Sequence, residues 1–170
     1  MCIRDRLWDL PTEPPPIGVA ASGPASCEMA GRFGDALIAV QPDAELGKQF
    51  DDAGGAGKPR IGQAALSYDR DTARARTRAV EQFRWFTGGW DVMAELPAPD
   101  HFASASKAVG EDDVATQVPC GDDLHAHIDA VRAYVDAGFT HVALVQVGGD
   151  VQDQFFDWAE RELLPALREL

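Results

Sequence analysis

Short apolar segments alternate with helix-forming segments along most of this 170-residue chain. Residues 17–21 and 36–40 are apolar at almost every consecutive position, whereas a strand with one face in water would alternate apolar and polar residues. Strands of this kind belong to parallel sheets whose faces are covered by helices. The pattern therefore predicts an α/β fold.

The repeating unit is a strand followed by a turn and a helix. Proline near a helix start and glycine just past a helix end mark several of the boundaries. The predicted units, strand then helix, are 17–21 with 25–33, 36–40 with 44–53, 60–68 with 71–86, and 141–147 with a terminal helix ending near residue 170. A further helix is predicted over 124–137, before the last strand.

Residues 87–107 interrupt this alternation. The segment is rich in glycine, proline and aromatic residues and has no clear apolar period. Long irregular segments inside compact domains often carry function. We therefore expect an insertion here that forms one wall of a pocket.

The charge balance excludes some classes of partner. The chain carries 28 acidic and 15 basic residues, a net charge of -13, which repels phosphate backbones and anionic lipid surfaces. Its longest apolar runs are far shorter than the roughly 20 residues that span a bilayer. We expect no nucleic-acid partner and no membrane association.

The cysteines and the N-terminus bear on compartment and processing. Cys2, Cys27 and Cys120 are odd in number and far apart, which suits neither a disulfide framework nor a metal site, and a reducing cytoplasm is the expected compartment. Residues 1–6 resemble a translated sequencing adapter. We expect them to be a non-native addition, with residues 7–170 forming a single domain.

The turn between the first strand and the first helix is the main candidate site. It consists of Ala21, Ser22, Gly23, Pro24 and Ala25. A strand that runs through small residues into a helix leaves backbone N–H groups at the positive end of the helix dipole, where a phosphate can bind. A tight connection with no ligand has the same local sequence, so these residues alone leave both interpretations open.

Two other motifs are interpreted as structural. Residues 54–58 look like a phosphate-binding loop, but proline follows Lys58 where Ser or Thr is needed, so a loop ahead of a strand is predicted. His125 and His127 are two residues apart and would point in different directions from a helix, so we expect a solvated helix start and no metal.

Five segments of the chain, taken in order, carry a resemblance to a known family. They are residues 7–11, 14–24, 34–38, 137–142 and 163–167, of which Ala-Ala-Ser-Gly-Pro at 20–24 and Gly-Phe-Thr-His-Val at 138–142 are the most specific. Together they resemble the C-terminal half of luciferase-like oxidoreductases that depend on the deazaflavin coenzyme F420. The nearest branch resembles the glucose-6-phosphate dehydrogenases of that family.

The resemblance implies a fold and an activity. The fold would be a (β/α)8 barrel of the bacterial luciferase type, represented here by its last four βα units. The turn at residues 21–25 would help to hold the deazaflavin near its phosphate. The reaction would be hydride transfer between a small organic substrate and the deazaflavin, with the catalytic histidine, tryptophan and acidic partner in the N-terminal half, outside this chain. This chain alone would be inactive.

The chain departs from the glucose-6-phosphate dehydrogenase branch where that branch carries basic residues that grip a sugar phosphate. Val40 and Gln41 follow the second strand, and Gln117 lies in the helix before Cys120. These residues are the substrate-pocket candidates, and without a nearby Lys or Arg a phosphate would lose its charge-assisted partners. The sequence leaves open the substrate, the direction of hydride transfer and assembly into a homo-oligomer. It also leaves open two other functions, those of a flavin mononucleotide (FMN)-dependent monooxygenase and of a non-catalytic α/β binding module.

Overall fold

A computed structural model describes residues 11–170. The expected addition at residues 1–6, and most of the first family-like segment, lie outside this range. Among the described residues, no helix is both long and apolar enough to cross a membrane.

Four parallel strands form a single sheet, in the same order as along the chain. The strands are β1 (Gly18–Ala20), β2 (Ala36–Ala39), β3 (Arg60–Leu66) and β4 (His141–Gln146). Sequential order with parallel pairing is the connectivity of a barrel wall. The predicted α/β class is confirmed, and each strand ends one or two residues earlier than the sequence predicted.

Helices connect the strands, and the longest connection lies between β3 and β4. The helices are α1 (Pro24–Phe33), α2 (Ala44–Phe50), α3 (Thr72–Phe83), α4 (Gly89–Met93), α5 (Pro99–Ala105), α6 (Glu111–Ala115), α7 (Leu124–Asp136), α8 (Gln152–Trp158) and α9 (Leu164–Leu167). A π-helical turn, Asp51–Gly55, extends α2, and a second one, Ala159–Leu163, joins α8 to α9. A 3-10 turn, Arg84–Gly88, extends α3.

Three helices start at an aspartate for a local chemical reason. The carboxylates of Asp43, Asp71 and Asp123 accept a hydrogen bond from the backbone N–H two residues later, at 2.8, 3.0 and 3.0 Å. Each bond satisfies a donor that has no partner within the helix and contributes about 1 kcal/mol. These caps fix where α2, α3 and α7 begin.

The segment predicted to be irregular is partly helical. Helices α4 and α5 both lie within residues 87–107, and Pro99 occupies the first turn of α5, where a proline costs nothing. Each helix is one to two turns long. Its apolar positions are too few to establish a helical period, which is why the sequence did not indicate it.

Helical layers cover both faces of the carboxyl end of β3. Leu66 packs into a buried cluster with Trp158 and Leu163 from the C-terminal helices. Its neighbour Ala65 points the other way and packs against a cluster that includes Ala79 of α3 and Val114 of α6. The end of β3 is therefore held in place from both sides.

The two outer strands leave the sheet open, and this predicts self-association. β1 and β4 each pair with one neighbour among residues 11–170, so their outer edges present unpaired backbone groups to another sheet. We expect the isolated chain to form dimers or larger aggregates in light scattering after size exclusion. Placing a charge on the exposed edge, by Ala143→Lys, should reduce the association. A monomer with a sharp thermal transition would contradict this expectation.

Candidate functional site

The candidate substrate site is a cavity at the carboxyl edge of the sheet. β2 ends at Ala39, which pairs with Gly62, whereas β3 continues to Leu66. The step between the two strand ends opens onto a cavity of about 880 Å³, which is also lined by residues of α6, α7 and the turn before α4. Ligands of parallel α/β proteins bind at this edge of the sheet.

The three substrate-pocket candidates all line this cavity. Val40 and Gln41 follow β2, and Gln117 follows α6 on the opposite wall, so residues 76 positions apart in the chain face one space. Among the described lining residues, Asp43 is the only charged one. The cavity therefore offers amide and apolar contacts but no cation.

Tyr134 of α7 lines the cavity. Its hydroxyl lies 2.9 Å from the Val40 carbonyl and 2.8 Å from the Gln63 carbonyl, which ties the end of β2 to β3. The ring packs on Gly62, where a Cβ would lie only 2.3 Å from a ring carbon. Burial raises the pKa of Tyr134 to about 12, so the hydroxyl stays protonated and serves as a donor.

The candidate cofactor turn lies at the same edge, after β1. Ser26 Oγ accepts from the N–H groups of Ser22 and Gly23, at 3.1 and 3.3 Å, and donates to the Gly23 carbonyl at 2.9 Å. Two N–H groups of the turn are thus bonded internally and do not face outward. The N–H groups of Ala25 and Ser26 have no acceptor among residues 11–170.

The front of this turn is open. A Cβ built on Gly23 would meet nothing within 4 Å, and its extended backbone (φ -172) suits any residue. Ala21, in contrast, is buried and donates to the Ile38 carbonyl at 2.9 Å, which anchors the turn to β2. None of the residues 21–25 lines the large cavity, so the two candidate groups lie at the same edge of the sheet without sharing this cavity.

A buried ion-pair network at the ends of β3 and β4 was not foreseen from the sequence. Arg78 of α3 donates to Asp69 at 2.8 Å, to Asp150 at 3.1 Å and to the Tyr68 carbonyl at 3.3 Å. Arg78 and Asp69 are 6% and 4% exposed, so both charges are out of water. Gly148 (φ +89) makes room, since a Cβ there would lie 2.3 Å from the Arg78 side chain.

The electrostatics of this network favour its charged form. Burial by itself would raise the pKa of Asp69, but the Arg78 hydrogen bond, the Asp71 N–H and the nearby charge of Arg74 outweigh it, and the pKa is lowered. One sequence signal was available. Asp69 directly follows the predicted strand 60–68, and Arg78 shares a helix face with the small residues Ala75 and Ala79, both of which are fully buried.

The expectation of a solvated helix start is wrong for His127. α7 begins at Leu124, so position 127 falls on the face that also carries Val131 and Tyr134, and the histidine is 2% exposed. Its Nε2 lies 2.9 Å from the Gly121 carbonyl, and its ring packs edge-on against Trp158. Burial lowers the pKa of His127, so the imidazole is neutral at pH 7 and has a structural role. His125 is exposed, as expected.

The glycine-rich loop at residues 54–58 is structural, as its proline indicated. Lys58 Nζ donates to the carbonyls of Gly31 and Gly34, at 2.7 and 2.9 Å, and so ends helix α1. No group of three or more His, Cys, Asp or Glu residues within 11–170 is arranged to hold a metal ion.

Comparison with known proteins places these features in a family context. The family profile described as luciferase-like monooxygenase matches residues 4–141. An F420-dependent hydroxymycolic acid dehydrogenase from Mycobacterium tuberculosis is 34% identical over 171 residues, covering 96% of this chain and 46% of that protein. An F420-dependent glucose-6-phosphate dehydrogenase from Nakamurella multipartita is 28% identical, covering 96% and 51%. The chain spans about half the length of the curated relatives it matches.

Solved structures show the same architecture. An F420-dependent secondary alcohol dehydrogenase, in complex with an F420-acetone adduct, superposes with a TM-score of 0.79 at 20% identity over 97% of this chain and 52% of that chain. A coenzyme F420-dependent tetrahydromethanopterin reductase from Methanopyrus kandleri gives 0.63 at 18% identity, covering 89% and 51%. The fold is half of a (β/α)8 barrel, as the sequence predicted.

Proposed function

Because this chain belongs to the luciferase-like monooxygenase family, we propose that the complete protein is a coenzyme F420-dependent oxidoreductase. It transfers hydride between the deazaflavin and an uncharged organic substrate such as an alcohol or its ketone. The names of the relatives and of the similar structures support the cofactor. This chain supplies part of the cofactor site and one wall of the substrate site, and the catalytic acid–base groups come from the other half of the barrel.

The observation that carries the cofactor assignment is the turn at residues 21–25. Its carboxyl-edge position, its open front and the unbonded N–H groups of Ala25 and Ser26 suit an anionic group at the start of α1. The Ser26 hydroxyl is hydrogen-bonded to the backbone of the turn, so the turn has this conformation before a ligand binds. These residues would hold the phosphate of coenzyme F420, whose deazaflavin ring accepts or gives up the hydride.

The cavity lined by Val40 and Gln41 would bind the substrate. Its small lining residues leave space, and the amides of Gln41 and Gln117 provide neutral polar contacts. The contribution of this chain to catalysis is binding and orientation. The fixed protonation of Tyr134 makes it unsuited to act as a base at neutral pH.

Replacing Gly23 by valine tests the cofactor site. The side chain would project into the open space in front of the turn, so we expect the fold to persist and the Kd for coenzyme F420 to rise at least about tenfold, roughly 1.4 kcal/mol. The measurement is a fluorescence titration of the complete protein with coenzyme F420. A parallel titration with FMN tests the alternative cofactor.

Gly110→Val provides the matched control. Gly110 also precedes a helix in extended backbone, and a Cβ there would meet only ordinary contacts, but it lies outside the large cavity and the candidate turn. Its variant should bind coenzyme F420 like the unchanged protein. If Gly23→Val and the unchanged protein bind coenzyme F420 with equal affinity, the turn is not part of the cofactor site. If the protein binds FMN tightly and does not bind coenzyme F420, the cofactor is FMN.

A further inference from the structure

A second, apolar groove lies in the segment between β3 and β4. It has a volume of about 550 Å³ and is walled by Trp85, Leu96, Phe102 and the Pro97–Pro99 turn. Its two charged lining residues, Glu81 and Arg84, have opposite signs. The other lining residues are mainly apolar, and a groove of this kind suits a hydrocarbon chain.

The groove adjoins the proposed substrate cavity. A narrow space of about 40 Å³ shares Trp85, Leu96, Phe102 and Ser106 with the groove. The same space shares Thr87 with the large cavity. The groove, the narrow space and the large cavity are therefore neighbours, and Thr87 lies between the last two.

Aromatic rings line this route. Phe86 faces the large cavity, and its ring centroid lies 6.1 Å from that of Trp85. The Trp85 centroid lies 6.4 Å from that of Phe102 on the far wall of the groove. An apolar chain leaving the cavity would contact these rings in turn.

We propose that this groove binds the hydrocarbon tail of the substrate, so that the substrate is a long-chain alcohol or ketone whose reacting end lies in the large cavity. That the reacting end is an alcohol or a ketone rests on the proposed function. The mainly apolar lining of the groove, its position beside the cavity and the absence of cations from the described lining of the cavity support a hydrocarbon tail.

The test uses 2-butanol, 2-hexanol, 2-octanol and 2-decanol with the complete protein. Binding is measured by calorimetry without cofactor, and turnover is measured with coenzyme F420. Each buried methylene is worth about 0.8 kcal/mol, so we expect the calorimetric Kd and the KM to fall about threefold to fourfold per added carbon until the groove is full.

Ala103 gives two variants that separate charge from volume. It is exposed at the groove wall, so Ala103→Asp places a charge beside the tail and Ala103→Trp fills the space, neither at the expense of a buried contact. Both should raise the Kd for 2-decanol at least about tenfold and leave that for 2-butanol unchanged. Ser104→Asp and Ser104→Trp, on the same helix but outside the groove, should change neither.

The outcomes separate this inference from the proposed function. A Kd that falls with chain length, without any deazaflavin reduction, would support the tail site and reject the activity. Reduction by 2-butanol with no chain-length dependence would retain the activity and overturn the tail site. Tighter binding of glucose 6-phosphate than of 2-decanol would also overturn the tail site. So would conversion of a dimer to a monomer by Ala103→Asp in light scattering, because a second copy of the chain would then occupy the groove.

Discussion

Replacing Arg78 by methionine is expected to lower the free energy of unfolding of the complete protein by about 3–5 kcal/mol. Methionine roughly fills the space but leaves the Asp69 carboxylate, only 4% exposed, with Arg74 at 3.7 Å as its remaining cationic partner. A buried charge without a close partner is costly, and the clamp between the ends of β3 and β4 is lost as well. Urea unfolding followed by circular dichroism measures the effect.

Arg76→Met is the matched control, because Arg76 lies on the same helix and pairs with Asp112 at the surface. Their side chains are 40% and 95% exposed, so this variant should cost less than about 1 kcal/mol. Equal losses in the two variants would show that the buried network contributes nothing beyond a surface pair.

Acid should reduce the difference between the Arg78 variant and the unchanged protein. The pKa of Asp69 is lowered in the fold, so its contribution to stability is present above its unfolded pKa of about 3.9 and is lost as the pH falls through the lowered value. In the variant, burial without Arg78 should raise the pKa of Asp69, so the carboxyl becomes neutral at a higher pH. The difference in unfolding free energy should therefore shrink towards pH 3.

Glucose 6-phosphate is expected to be a poor substrate, with a kcat/KM at least about 100-fold below that of an uncharged secondary alcohol. Two lost charge-assisted hydrogen bonds, at about 1.5–3 kcal/mol each, account for a factor of this size. Asp43, the one charged residue that lines the cavity among those described, would repel the phosphate further. Steady-state assays with coenzyme F420 and both substrates measure the ratio.

Lysines placed at the cavity should improve turnover of glucose 6-phosphate. Gln41 and Gln117 are both exposed at its rim, so Gln41→Lys with Gln117→Lys should raise kcat/KM for glucose 6-phosphate about tenfold or more. Gln82→Lys adds the same charge outside the cavity and should have no such effect. Comparable turnover of glucose 6-phosphate and the alcohol by the unchanged protein would show that other basic groups bind the phosphate.

The alternation of strands with helices and the parallel sheet followed from the sequence because local patterns determine them. Apolar residues at consecutive positions indicated a parallel sheet, and an aspartate marks the start of α2, α3 and α7. The strand ends were placed too late because Val40, Tyr68 and Val147 are apolar but take part in turns and tertiary packing. An apolar residue at the end of a strand and an apolar residue in the turn after the strand look the same in the sequence.

The parts of the site that depend on distant residues could be inferred only in part. Val40, Gln41 and Gln117 were grouped through the family resemblance, and the structure places all three at one cavity. Three features were missed: the network of Arg78 with Asp69 and Asp150, the hydrogen bonds from Tyr134 to the end of β2 and to β3, and the burial of His127. Each depends on contacts between residues whose spacing in the chain carries no period.

The visible absorbance of coenzyme F420, mixed with the complete protein, tests the central claim most directly. With 2-octanol the band of the oxidised deazaflavin should disappear, and with 2-octanone the reduced deazaflavin should regain it, both without consumption of oxygen. An unchanged band in both directions, together with transfer of labelled oxygen from O2 into an organic product when reduced FMN replaces the deazaflavin, would contradict the assignment and identify the protein as a flavin-dependent monooxygenase.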